Sequence, residues 1–177
     1  MPQIYKITGL RAVKHKTTSI ALKWNGVSGA VYEVKRYDTG KKKWVSLKKG
    51  LRTSSFTDKK CKAGTHYKYM IVSTNPAGTS ASLNTATKPV KPVLRTLKRS
   101  GRTFRLKWKK CKADSIEIFM KTGKGKYKKI AVKKGSSISY KTKKLKKNNK
   151  YTFRIRAVMK GEGGKKIYSS YSKVKKR

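Results

Sequence analysis

The sequence predicts an all-β chain made of two tandem β-sandwiches. Three observations predict it: an internal repeat at fixed spacing, period-two alternation of apolar and polar residues in both copies, and turn residues between the alternating segments.

The repeat comes first because it organises everything else. Trp24 and Trp108 lie 84 residues apart, and so do Tyr67 and Tyr151. The same offset brings Leu22-Lys23-Trp24 onto Leu106-Lys107-Trp108, Glu33 onto Glu117, Phe56 onto Tyr140, Tyr69 onto Phe153 and Ile71 onto Ile155. No net insertion separates each tryptophan from its tyrosine, so one unit occurs twice.

Within each copy the alternation is that of strands with one buried face. Ile20, Leu22 and Trp24 alternate with Ala21 and Lys23; Phe104, Leu106 and Trp108 alternate with Arg105 and Lys107. Tyr67, Tyr69 and Ile71 repeat the pattern, as do Tyr151, Phe153 and Ile155. Asp38-Thr39-Gly40, Asn75-Pro76-Ala77-Gly78, Gly123-Lys124-Gly125 and Gly161-Glu162-Gly163-Gly164 supply turns, and no stretch reads as a helix of useful length. Six or seven short strands per copy make a sandwich. Lys88-Pro89-Val90-Lys91-Pro92 marks the boundary, because proline fixes φ and removes a donor. The expected division is residues 1–88, a linker at 89–92, and residues 93–177, with the stiff linker holding the halves as a rod.

Charge is the outlying property. Fifty Lys+Arg against six Asp+Glu give a formal net charge of +44, with 36% hydrophobic residues spread evenly. Such a surplus repels itself in a compact state and attracts any polyanion. The cations are mostly lysine, a hydrated point charge, rather than the bidentate arginine fork that base or phosphate recognition favours. Two origins fit this composition: a surface for polyanions, or the codon bias and salt tolerance that drive surface proteins basic. No run approaches the length of a membrane span, and no charged-then-apolar leader precedes the first strand, so the chain reads as a fragment or as a protein exported by another route.

Chemistry is scarce. Glu33 and Glu117 are repeat equivalents facing out from their strands, placed to pair with lysines across the sheet. His15 and His66 lack motif context, and no nucleophile is framed by a signature. Gly123-Lys124-Gly125-Lys126 lacks the frame of a phosphate loop and reads as a hairpin tip. Cys61 and Cys111 stand where Leu145 and Val27 stand in the other copy, the positions of small core residues. Neither has metal-ligand partners in reach. Catalytic, metal and cofactor sites are therefore not expected.

These residues resemble the fibronectin type III family over nearly the whole chain. Trp24 and Trp108 match its second-strand tryptophan, and Tyr67 and Tyr151 its tyrosine corner. Cys61-Lys62-Ala63-Gly64-Thr65-His66-Tyr67 resembles the corner motif with cysteine for leucine; Leu145 to Tyr151 keeps the leucine and puts Asn148 where glycine is usual, a residue that tolerates left-handed backbone. The resemblance implies that each tyrosine hydroxyl locks the crossover between sheets, which makes Trp24, Tyr67, Trp108 and Tyr151 the expected structural core. Ile7 to Leu10, Leu22 to Ala30, Tyr32 to Val34 and Tyr168 to Val174 are similar to repeats in surface proteins of Gram-positive bacteria. That likeness implies a spacer or adhesive module, extracellular or at the cell surface.

The expected function is thus a non-enzymatic structural or adhesive module that meets anionic wall polymers or glycans through lysine. The alternatives are a nucleic-acid-associated basic protein and a virion decoration protein. The candidate binding surface lies on the outward positions of the central strands: Tyr37, Met70 and Val72 in the first half, and Phe119, Lys121, Arg154 and Arg156 in the second. Apolar residues ringed by cations there are placed to dock a protein partner or to stack on sugars or bases.

Overall fold

The computed structural model describes residues 6–74 and 78–176. Two compact units divide the chain, with the main break between Thr87 and Lys88. The first contains β1 (Thr8–His15), β2 (Ile20–Asn25), β3 (Tyr32–Asp38), β4 (Lys43–Leu51), β5 (Ser55–Asp58), β6 (His66–Ser73) and β7 (Ser80–Ala86). Its strands form a three-stranded sheet, order β1-β2-β5, and a four-stranded sheet, order β4-β3-β6-β7. The chain changes sheet between β2 and β3, between β4 and β5, and again between β5 and β6, and every registered pairing is antiparallel.

The second unit repeats the plan. It contains β8 (Leu94–Ser100), β9 (Thr103–Trp108), β10 (Ser115–Thr122), β11 (Lys128–Lys134), β12 (Ser139–Lys141), β13 (Tyr151–Lys160), β14 (Lys166–Tyr168) and β15 (Lys175–Lys176). The small sheet runs β12-β9-β8; the large sheet runs β11-β10-β13-β14, with β15 pairing further along β13. The helical content of the described residues is one short turn at Glu162–Gly164.

The alternation in sequence becomes the two facing layers of each core. Ile20, Leu22 and Trp24 of β2 meet Tyr32 and Val34 of β3 and Tyr69 and Ile71 of β6. In the second unit Phe104, Leu106 and Trp108 of β9 meet Ile116 and Ile118 of β10 and Phe153, Ile155 and Ala157 of β13. Burying each of these aliphatic or aromatic side chains contributes about 1.5–3 kcal/mol. Aromatic edges fix the packing: Trp24 stands edge-on to Tyr32 with centroids 5.4 Å apart, and Phe104 edge-on to Tyr151 at 5.6 Å. Cys61 and Leu145 pack in equivalent places, as do Cys111 and Val27. Both thiols are free, and burial pushes Cys61 up to about 11 and raises Cys111.

Both tyrosine corners form, but with opposite hydrogen bonds. The Lys62 N–H donates to the Tyr67 hydroxyl at 2.7 Å, whereas the Tyr151 hydroxyl donates to the Lys146 carbonyl at 3.2 Å. Tyr151 is buried and Tyr67 only half-buried, so the second corner is the better shielded. The turn needs a left-handed residue three positions before each corner tyrosine: Gly64 has φ 59° and Asn148 φ 65°. Asparagine does take that conformation here, as its short polar side chain allows. Gly135 is fixed for another reason: a Cβ there falls 1.6 Å from the Ala113 carbonyl oxygen.

The two tryptophans differ in one atom's circumstances. Trp108 Nε1 donates to the Ser137 carbonyl at 2.8 Å, while buried Trp24 Nε1 finds no acceptor among the described residues. Replacing either indole with phenylalanine removes similar volume. Trp108→Phe should therefore cost about 1 kcal/mol more than Trp24→Phe, because it also frees a carbonyl. Urea unfolding of the two variants checks this.

Candidate functional site

The outward positions of the large sheets carry the candidate residues, and the two units use them differently. In the second unit Glu117 on β10 is 1% exposed although it points away from the core. Arg156 on β13 donates to its Oε2 at 2.7 Å, and Lys129 on β11 to its Oε1 at 3.2 Å. Lys166 adds a third cation at 3.7 Å. Burial by itself would raise the Glu117 carboxyl, but the hydrogen bonds from Arg156 and Lys129 outweigh it and hold the group below the ordinary carboxylate range.

From that anchor a ladder of rings and cations runs along the face. The Arg156 guanidinium lies 3.7 Å from the centroid of Tyr168 and 5.2 Å from that of Phe119. Phe119 meets Tyr171 edge-on at 5.2 Å. Arg154 is sandwiched between Tyr171 at 3.7 Å and Tyr127 at 3.9 Å, and Lys121 caps Tyr127 at 5.4 Å. Local sequence builds this. Arg154 and Arg156 share one face of β13 because they are two apart, and Tyr168 and Tyr171 come from the interrupted last strand. There Ser169 and Ser172 Oγ accept the N–H groups of Ala157 and Ile155 at 2.9 and 3.1 Å, while the serines' own N–H groups donate to the Ala157 and Ile155 carbonyls at 2.9 and 2.8 Å, so hydroxyl and backbone together carry the ladder between β14 and β15. That pins both tyrosines over the arginines. A stacked guanidinium loses rotamer freedom before any ligand arrives, so the ridge is preorganised.

Phe119 is the residue whose surroundings differ from the expectation. It lies on the outward face, but Tyr171, Arg154 and Arg156 cover it, leaving 9% exposed. It supports the ladder from beneath and offers no docking surface. Arg154, Arg156 and Lys121 stand half-buried within the same ladder.

The first unit's equivalent face holds Tyr37, Met70 and Val72, all half-buried, with Lys35 opposite Met70 and Glu33 opposite Val72. Tyr37 meets Trp44 of β4 edge-on at 5.5 Å, and Lys68 lies 5.5 Å over the Trp44 ring. Glu33 pairs at 3.2 Å with Lys35 on its own strand, and not across the sheet as Glu117 does. Burial by itself would raise the Glu33 carboxyl, but hydrogen bonds from Ser46 of β4 and from Lys35 outweigh it and hold the group below its usual range.

One cluster went unrecognised in the sequence. Asp58 at the end of β5 is buried; Arg36 of β3 and Tyr69 of β6 each donate to its Oδ2 at 2.7 Å, and the Lys60 N–H to its Oδ1 at 2.9 Å. It clamps the small sheet to the large one. Burial raises the carboxyl, but those hydrogen bonds and the guanidinium win and lower it; burial in turn raises the Tyr69 hydroxyl strongly. The signal was available: in Phe56-Thr57-Asp58 the alternation turns Asp58 inward. Asp38 is spent on its own turn, accepting from the Gly40 and Lys41 N–H groups at 2.9 and 3.0 Å. Among the described residues no group of three or more His, Cys, Asp and Glu side chains is placed to hold a metal ion, and no helix is long and apolar enough to cross a membrane.

With sheet order, strand crossings and two tyrosine corners in place, the chain can be set beside solved structures. A two-domain fibronectin type III segment of chicken tenascin superposes with a TM-score of 0.58 at 16% identity, covering 98% of this chain and 99% of that one. The fold is a tandem pair of fibronectin type III-like domains. A three-domain fibronectin segment of chicken contactin 1 gives a TM-score of 0.48 at 14% identity, covering 98% of this chain and 66% of that one. No protein-family model and no curated protein matches the sequence. The likeness is one of architecture, and the ladder and clamp belong to this chain's own residues.

Two outcomes follow for these fibronectin type III-like domains. Glu117→Gln leaves Arg156 with a neutral partner and should destabilise the second domain by about 2 kcal/mol; Trp108 is that domain's sole tryptophan and its fluorescence reports the loss. Asp58 and Glu117 both have folded pKa values below their unfolded ones. The stability they contribute is present above the unfolded value, near pH 4, and is lost as pH falls through the folded value. Thermal unfolding between pH 7 and pH 2 should show this acid loss, weakened in the first domain by Asp58→Asn and in the second by Glu117→Gln.

Proposed function

We propose that the chain is a non-enzymatic structural or adhesive module of a bacterial surface or extracellular protein, and that it holds anionic wall polymers or glycans through lysine. One observation carries this reading: the fate of the carboxylates. Fifty Lys+Arg face six Asp+Glu, and Asp58, Glu117, Glu33 and Asp38 are each engaged by the protein's own donors. Little negative charge is left to meet the lysines, so the surface field is positive and long-ranged at low salt. Lysine suits diffuse attraction to a charged polymer better than reading of bases.

The ladder adds a fixed element to that field. Arg154 lies between two rings with no carboxylate within ion-pair distance among the described residues, so its charge stays available at the surface of the second domain. The tandem sandwich fold is compatible with a spacer or adhesive role, and the reading rests on the residues of its faces, because one fold hosts many functions.

The test is competition at fixed ionic strength. The full chain should bind a polyanionic glycan and a wall-type polyol phosphate polymer, with affinity falling steeply as salt rises. Duplex DNA of equal charge density should bind no better than the glycan. A strong preference for DNA, with a salt slope near −0.9 per phosphate neutralised, would move the reading to a nucleic-acid-associated protein. Failure to bind any of the three at low salt would end the polyanion reading.

A further inference from the structure

The small sheet of the first domain carries a pit on its outer side that the second domain lacks. Register places Lys14, Ala21 and Thr57 in one row across β1, β2 and β5. Ala21 ends at a single carbon, so the floor dips between longer neighbours. Lys14, Lys16 and Lys59 stand around it with Thr18, Ser19 and Thr57, enclosing about 450 Å³. No carboxylate lines the pit; the nearest in sequence, Asp58, is turned inward onto Arg36 and Tyr69.

The rim is held in place. Lys16 N–H donates to the Ser19 carbonyl at 2.9 Å, closing the turn between β1 and β2, and Cys61 N–H donates to the Thr18 carbonyl at 3.1 Å, tying that turn to the segment after β5. Lys16 and Lys59 are thus carried on two segments that cannot drift apart. The equivalent row in the second domain is Lys98, Arg105 and Lys141. Arginine replaces the alanine floor and lysine replaces Thr57, so long side chains stand where the pit would be.

We infer that this pit is a site for one phosphoryl group, and the inference deepens the polyanion reading by assigning a discrete subsite within it. A phosphate oxyanion presents several acceptor oxygens in a compact tetrahedron. Three ammonium groups lack arginine's bidentate fork, but as point charges with three donors each, gathered around one recess with hydroxyls from Thr18, Ser19 and Thr57, they meet that demand. A recess with low-dielectric walls also focuses the field of its lysines, so the anion is drawn to the floor and not spread over the sheet. The second domain's ridge offers charge without a recess and holds no such group.

Ala21→Arg tests this because it adds a positive charge while filling the pit. Attraction by charge alone predicts that the variant binds phosphate at least as well as the wild type; a pit predicts weaker binding. Backbone amide shifts of the full chain, titrated with inorganic phosphate against chloride at constant ionic strength, should move saturably at Thr18, Ser19, Ala21 and Thr57. Ala21→Arg should weaken that binding about tenfold. Thr57→Lys, which installs the second domain's residue at an exposed position, should do the same and serves if Ala21→Arg fails to fold. Glycerol phosphate and dimethyl phosphate distinguish the source: saturation by either ester assigns a polymer-borne group, and saturation by inorganic phosphate alone assigns a free anion. Absence of saturable shifts, or undiminished binding by both variants, overturns the site. The polymer reading fails separately, when the wild type titrates with phosphate yet holds no polyanion.

Discussion

Scarcity of negative charge is the constraint on which both domains depend. A carboxylate buried beside a cation contributes little net energy when compared with well-packed apolar groups, yet removing one partner of such a pair is expensive. Here the few acids are placed where that asymmetry matters. Asp58 joins strands of opposite sheets through Arg36 and Tyr69, and Glu117 gathers cations from three strands of one sheet. A chain with so much self-repulsion gains most from a carboxylate that engages several donors at once.

The duplicated unit shows that these are alternative solutions. At the repeat offset Asp58, Arg36 and Tyr69 of the first domain become Thr142, Met120 and Phe153 in the second. The polar clamp is replaced by apolar packing and a hydroxyl that accepts the Phe104 N–H at 2.9 Å. On the outer face the exchange runs the other way: Met70 and Val72 become Arg154 and Arg156. One domain keeps its principal ion pair between its sheets, and the other keeps it on the outside, where it anchors a stack of rings. The same backbone plan thus carries two unlike surfaces.

What the sequence made legible was whatever depends on period. The 84-residue offset, the inward stripes and the left-handed corner at Asn148 all follow from local spacing, and the coordinates show them. The position of each outward residue was also legible. Its neighbours were not, because they come from strands distant in sequence: Phe119 reads as an exposed aromatic until Tyr171 is folded across it. The ladder had a signal in the three-residue spacing of Tyr168 and Tyr171, shared by Ser169 and Ser172, but only pairing with β13 gives that spacing a meaning. The pit was invisible for the same reason, since Ala21 becomes a floor only once Lys14 and Thr57 lie on either side of it.

The outermost strand of the second domain's large sheet, β11, reads Lys-Lys-Ile-Ala-Val-Lys-Lys, and among the described residues its far side has no hydrogen-bonded neighbour in the sheet. An open strand margin of this kind is a template on which another chain can add, and flanking lysines are a common guard against that event. The guard works only while its charge is unscreened. Under the proposed polyanion reading, a polymeric counter-ion that neutralised those ammonium groups would disarm it, and the ratio of polymer to protein would then control whether copies stay dispersed or zip together margin to margin.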